Sequence, residues 1–132
     1  MTLCVNIFNI LGISLTFNLY IIMAKFEVKQ TSSGQFRFNL KAGNGQIILS
    51  SESYKAKSSC ENGIESVRKN SQDDSKFERK ETPGGHRFNL KATNGQVIGT
   101  SETYTTVAAM ENGIASVKKN APGAKVEEVA VA

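Results

Sequence analysis

Cysteine and histidine are almost missing from this chain of 132 residues: two of the first, Cys4 and Cys60, and one of the second, His86. Two cysteines in unrelated contexts make no disulfide framework and give no sign of an oxidising compartment. Met110 occupies the place of Cys60 in the repeat set out below, so Cys60 reads as a small core hydrophobe rather than a ligand or a bridge. A lone histidine at a turn edge, with no cysteine or carboxylate at metal-ligand spacing, excludes a conventional zinc site. No G-x-S-x-G elbow is present, which removes the usual serine hydrolase arrangement. The two "NG" turns have no helix directly after them, so neither is a P-loop or a dinucleotide fingerprint. No metal and no cofactor is expected.

Charge is missing from the first 24 residues. The opening run MTLCVNIFNILGISLTFNLYII has no basic start and no small-residue cleavage point, so it does not read as a secretory signal. It is long enough for a membrane span, but Asn6, Asn9 and Asn18 are costly there and no basic flank sets an orientation. The favoured expectation is a start codon placed too early, with Met23-Ala24-Lys25 as the natural beginning; the alternative is a hydrophobic anchor. Without an anchor the protein is expected to be cytoplasmic.

Net charge is +4, from 16 Lys/Arg and 12 Asp/Glu, unevenly spread. Residues 24–70 carry eight cations and four acids; residues 71–120 carry seven and six. A mild excess attracts anions weakly, and dedicated nucleic-acid domains are usually more basic and more clustered.

What the chain has in abundance is itself. RFNLKAGNGQ (37–46) returns as RFNLKATNGQ (87–96), and residues 37–70 align with 87–120 without a gap, 21 of 34 positions identical. Upstream, Phe26 matches Phe77 one residue out of step, a slip absorbed in the turn-rich stretches KQTSSGQ and RKETPGGH. Each unit reads as three strands and a helix. In the first, strands are expected near 25–30, 35–41 and 46–50, with Phe38 and Leu40 alternating against Arg37, Asn39 and Lys41. Asn44-Gly45 supplies a hairpin turn. The second unit repeats this near 76–81, 86–91 and 96–100. After Tyr54 the period changes: Cys60, Gly63, Ile64 and Val67 form a helical stripe, as do Val107, Met110, Gly113, Ile114 and Val117.

Ser58 with Glu61 fits a capping box, Thr105 or Thr106 caps the second helix, and Asn70 and Asn120 read as stops. Gly63 and Gly113 recur mid-helix despite a cost of about 1 kcal/mol relative to alanine, which predicts close approach of helix to sheet; a ligand-binding role is the sharper alternative.

One unit of ~50 residues buries too little surface to stand alone. The expected fold is therefore α+β: two tandem β-β-β-α repeats, 23–72 and 73–121, sharing one antiparallel sheet with both helices on one face and an approximate internal twofold. Residues 1–22 are an extension, and 122–132 a flexible tail, with an added edge strand as the second choice.

The tandem order of blocks, F-x-V, RFNLKA, NGQ, SE-x-Y and ENGI-x-SV, resembles the YegP-like proteins, the duplicated branch of an uncharacterised bacterial family. The match runs from Met23 to about Gly123. The resemblance implies paired β-β-β-α units in one sheet, some relatives pairing single units as dimers. It supplies no activity, cofactor or catalytic residue, and residues 1–22 depart from the pattern.

With Phe38 and Leu40 under the helices, Arg37, Asn39 and Lys41 face the other way, as do Arg87, Asn89 and Lys91. The expected function is a small non-enzymatic interaction module that uses this helix-free face to bind an anionic or protein partner, an acidic protein or nucleic acid. The chain would be a monomer with an internal pseudo-dimer, with homodimerisation allowed. No exposed aromatic platform of an RNA-reading sheet is evident. The alternatives are a structural or stress-related accessory protein with no small-molecule ligand and, least favoured, an enzyme using the recurrent Glu52 and Glu102 as a carboxylate pair. For those two glutamates the plain reading is that Ser-Glu ends a strand and Tyr54 or Tyr104 packs over the helix start with its hydroxyl in water.

Overall fold

The computed structural model describes residues 23–129. The extension 1–22, with the early-start and anchor readings and Cys4, lies outside the described residues, as do 130–132. In chain order the elements are β1 (Lys25–Gln30), β2 (Phe36–Lys41), β3 (Ile47–Ser50), α1 (Lys57–Asn70), β4 (Phe77–Thr82), β5 (Gly85–Lys91), β6 (Val97–Thr100), α2 (Val107–Asn120) and β7 (Lys125–Val129). They form one seven-stranded sheet in the order β4-β5-β6-β3-β2-β1-β7.

Within each unit consecutive strands pair antiparallel, because short turns allow nothing else. The units meet where β3 pairs with β6 through Ser50 and Thr100, and the internal twofold passes through that seam. Alternation decides which residues are buried. Phe26, Phe38, Leu40, Leu49, Phe88 and Leu90 are fully buried, beneath Cys60, Ile64 and Val67 of α1 and Met110, Ile114 and Val117 of α2. Burying each large side chain contributes about 1.5–3 kcal/mol. The ring geometry repeats with the sequence. Phe26 meets Phe38 edge-on at 5.7 Å and Phe38 stacks on Tyr54; Phe77 meets Phe88 edge-on at 5.7 Å and Phe88 stacks on Tyr104. Arg68 and Lys118, from the last turns of the helices, lie over Phe26 and Phe77.

The hairpin turns are wider than a two-residue Asn-Gly turn. Gly45 donates its N–H to Ala42 O, and Ala42 N–H donates to Gln46 O, both at 2.9 Å. Gly45 and Gly95 take φ of 87°, where a β-carbon would be strained. Asn44 and Asn94 serve through their side chains, whose oxygens accept from the N–H groups of Gln46 and Gln96.

The helix ends correct two expectations and match a third. α1 starts at Lys57, with Ala56 as an N-cap that offers no side-chain bond, so Ser58 and Glu61 do not form a capping box. Thr106 does cap α2, accepting from Ala109 N–H at 3.0 Å. Asn70 and Asn120 do not stop their helices by a left-handed turn. The residues after them continue in right-handed geometry, and each Asn amide turns back to donate to Ser66 O or Ser116 O at 2.9 Å.

The segment after Asn120, expected as a flexible tail, instead forms a short 3-10 turn and then β7. It pairs parallel to β1, from Lys25 beside Lys125 to Lys29 beside Val129, so the sheet is antiparallel only through its six repeat strands. The twofold explains the direction. The chain leaving α1 lays down β4; the twofold image of β4 is β1; the chain leaving α2 therefore runs parallel to β1 and settles one place further out. Arg68 Nη2 holds this route by donating to Ala124 O at 2.7 Å.

Candidate functional site

The helix-free face is set by register. Opposite the buried stripe, β1 presents Lys25, Glu27 and Lys29, and β2 presents Arg37, Asn39 and Lys41. β3 and β6 add Ser50, Thr100, Ile47 and Val97; β4 and β5 add Glu78, Lys80, Arg87, Asn89 and Lys91; β7 adds Lys125 and Glu127. Eight cations and three carboxylates give the face +5, while the remaining eight cations and nine acids give the rest of the chain −1. The whole net charge of the molecule is thus carried by one face of its sheet.

All six expected residues, Arg37, Asn39, Lys41, Arg87, Asn89 and Lys91, lie on this face, but the row is not bare. Lys41 Nζ and Lys91 Nζ each lie 3.0 Å from a carboxylate of the first strand of their unit, Glu27 and Glu78. Glu27 is buried. Burial would raise its carboxyl, yet hydrogen bonds and attraction from Lys41, with Lys25, outweigh this and hold it below the usual range. The Lys91 ammonium, then the Asn89 amide, hold Glu78 low as well. Asn89 is itself buried, donating to Glu78 at 3.2 Å and accepting from Thr100 Oγ1 at 3.0 Å. In the sequence Glu27 and Glu78 carry only one signal, their outward alternation with the lysines.

Arg37 and Arg87 differ from the lysines. Neither has a carboxylate within salt-bridge distance among the described residues. Arg37 is exposed, with Nη2 3.5 Å from Ser51 O, and it overhangs a shallow cleft at the β3–β6 seam, of about 260 Å³, floored by Ser50, Thr100 and Gly99. Arg87 is half-buried, and its Nε is buried without a partner. The Asn39 amide, half-buried, likewise has no side-chain partner among the described residues; the two guanidinium groups are the cations of the expected six that no carboxylate engages.

The carboxylate pair is not assembled. With Ser50 opposite Thr100 and the strands antiparallel, Glu52 and Glu102 run off opposite ends of the seam, four residues apart in register, roughly 13 Å at 3.3 Å per residue. Both are exposed. Tyr54 and Tyr104 are half-buried and pack against the middle of their helices rather than the helix start. Each Oη sits against a helix glycine, Gly63 or Gly113, and burial, with repulsion from Glu52 and Glu102 behind it, pushes both phenols above the ordinary tyrosine range. His86 belongs to β5, its backbone bridged to Tyr104. No group of three or more potential metal ligands occurs among the described residues, and none of the described helices is long and apolar enough to cross a membrane.

Comparison with known proteins gives the same twofold picture. The chain is 65% identical over 54 residues to a UPF0339 protein of Acinetobacter baylyi (41% of this chain, 49% of that one). It is 52% identical over 60 residues to the UPF0339 protein YegP of Escherichia coli strain K12 (46% and 54%). The chain spans about half the length of the curated relatives it matches. The solution NMR structure of YegP from E. coli, a protein of unknown function, superposes with a TM-score of 0.78 at 48% identity, covering 83% of this chain and 96% of that one. The solution NMR structure of a UPF0339 protein from Shewanella oneidensis superposes with a TM-score of 0.77 at 42% identity (81% and 92%). The model of one family, a domain of unknown function (DUF1508), matches twice, over residues 32–78 and 82–128, and the chain belongs to that family of YegP-like proteins.

Proposed function

We propose that the protein is a non-enzymatic interaction module that docks an anionic macromolecule, an acidic protein or nucleic acid, on the helix-free face of its sheet. The supporting observation is the partition of charge: +5 on that face against −1 elsewhere. Arg37 and Arg87 carry the reading, because their guanidinium groups have no carboxylate partner among the described residues and offer forked donors to phosphate or carboxylate. Lys41 and Lys91 set the field but are already engaged by Glu27 and Glu78. Binding of this kind depends on released counterions and weakens as salt rises.

The test is retention of the full chain on heparin across a salt gradient, beside an Arg37→Ala/Arg87→Ala variant. These positions are chosen because removing Lys41 would leave the buried Glu27 carboxylate without its closest partner and disturb the fold. Elution of the parent well above low salt, with the variant eluting earlier and melting at the same temperature, supports the face. Flow-through of the parent at low salt, or identical elution of both, overturns it.

A further inference from the structure

On the helix side of the sheet, the last turn of α1 faces the β5–β6 hairpin of the other unit across an open cleft of about 420 Å³. The cleft, half polar and half apolar in its lining, joins the two repeats. Asn70 forms its inner wall and is only 5% exposed. Its amide orientation follows from its bonds: Nδ2 donates to Ser66 O at 2.9 Å and to Ser66 Oγ at 3.0 Å, which leaves Oδ1 for the cleft. That oxygen has two lone pairs and one partner, Thr93 Oγ1 at 3.4 Å, the outer limit of a hydrogen bond. A buried acceptor is left almost uncommitted.

On the rim stand Lys69 and Asn62, both exposed. Neither side chain has a hydrogen-bond or ion partner among the described residues. Glu65, the acid beside them, is taken by Arg68 Nη1 at 3.1 Å. Asparagine inside a helix is unfavourable relative to alanine, yet Asn62 recurs as Asn112, and Lys69 and Asn70 recur as Lys119 and Asn120. Asn120 makes the same bonds back to Ser116.

A free ammonium, a free amide and a starved carbonyl oxygen on one wall match a ligand with several hydroxyls and one negative charge. We propose that this cleft binds a monosaccharide bearing an anionic group. A sugar hydroxyl donates to Asn70 Oδ1, Asn62 holds a second hydroxyl, and Lys69 meets the carboxylate or phosphate. The site is separate from the sheet face and does not depend on it.

The experiment follows backbone and side-chain amide resonances of the isotope-labelled full chain during titration with glucuronate, with glucose 6-phosphate and with neutral glucose. Saturable shifts at Asn62, Asn70 and Thr93 with both anions, and at least tenfold weaker response to glucose, are expected. Response to only one anion assigns the head group and also supports the site. Lys69→Ala and Asn62→Ala change exposed positions without removing an internal bond, and Lys69→Ala should weaken binding about tenfold, the scale of a charged hydrogen bond. Arg37→Ala should leave it unchanged. Cleft shifts with neither anion, equal binding of glucose, or binding indifferent to both cleft variants overturns the proposal.

Discussion

The side chain of Leu49 fills the space that a β-carbon on Gly99 would need: a carbon built on Gly99 lies 2.6 Å from Leu49 Cγ and Cδ2. These are equivalent positions in the two units, brought together beside the twofold. Two leucines cannot occupy both, and two glycines would leave a hole. The repeat therefore departs from itself where symmetry would press a large side chain against its own image.

Gly99→Ala should destabilise by about 1–3 kcal/mol through overpacking, and Leu49→Ala by about 2–5 kcal/mol through the cavity it leaves. The exchange Leu49→Gly with Gly99→Leu should recover most of the loss of Gly99→Leu alone, because the leucine then enters the same space from the other strand. Denaturant unfolding of the parent, Leu49→Gly, Gly99→Leu and the double exchange measures the coupling; strictly additive losses would sink the account.

Gly63 is closed in by its own unit. A β-carbon there would lie 2.5 Å from Tyr54 Oη and 3.2 Å from Phe38 Cε2. Tyr54 cannot simply swing aside, since its ring stacks on Phe38 and its backbone bonds Phe36 in both directions. Helix propensity favours alanine by about 1 kcal/mol, and the collision opposes it. Gly63→Ala should come out destabilising. In a Tyr54→Phe background the closest contact is gone while the ring carbon Cζ at 3.0 Å and Phe38 Cε2 at 3.2 Å remain, so the same change should cost clearly less. Equal effects in both backgrounds would remove Tyr54 as the cause.

The acid side of the stability curve should depend on Asp74. Its carboxylate accepts from Lys118 at 2.7 Å and from Arg79 at 3.1 Å, and Arg79 also bonds Glu111. Lys118 first, then Arg79, hold the Asp74 carboxyl below the usual range; Arg79 does the same for Glu111. Folded values lie below unfolded ones, so the stabilisation is complete above the unfolded carboxyl values near pH ~4 and is lost as pH falls through the folded values. Melting temperature should be level from neutral pH to about pH 5 and fall below about pH 4, less steeply in Asp74→Asn. Parallel curves for parent and variant would count against the network.

The strands, the helix stripes and the buried faces were legible because the period of the side chains states them directly: Phe38 and Leu40 alternate with Arg37 and Asn39, and Ile64 and Val67 keep helical spacing. What was not legible depends on neighbours distant in sequence. Nothing near Lys41 shows that Glu27 will lie beside it until strand register is known, so the row read as freer than it is. The capping pattern at Ser58 was genuine as a pattern, but Tyr54 pairs with Phe36 and the helix begins at Lys57. The fate of residues 125–129 was set by the twofold, which a local reading of APGAKVEEV does not contain.

Cys60 should be chemically silent in the native protein. It is fully buried, and burial, with some repulsion from Glu61, pushes its thiol up to about 11. Only the thiolate reacts, so both access and ionisation oppose modification. In a Cys4→Ser variant, a thiol reagent at neutral pH should react no faster than the protein unfolds, and fully once denaturant is added. Rapid labelling of the native variant would falsify the burial of Cys60.

β7 should act as a cover for the sheet edge rather than as part of the core. Its residues are exposed or half-buried, and what holds it is backbone pairing to β1 and contacts of opposite charge. Lys25 reaches Glu127 at 3.0 Å, and Lys57, at the start of α1, reaches Glu128. Surface pairs of this kind contribute ~0–1 kcal/mol each, so deleting residues 125–132 should lower stability modestly. The larger consequence is that the N–H and C=O groups of β1 lose their partners, and an uncovered edge strand recruits other chains. β4, at the opposite edge, is guarded by a run of charges, Glu78 to Glu81; β1 carries the apolar Phe26 and Val28 between its charges. The truncated protein should stay folded by circular dichroism at low concentration and associate as concentration rises, seen by light scattering, whereas Glu127→Gln/Glu128→Gln in the full chain should remain monodisperse. A truncated protein that stays monodisperse over the same range would show that β1 needs no cover.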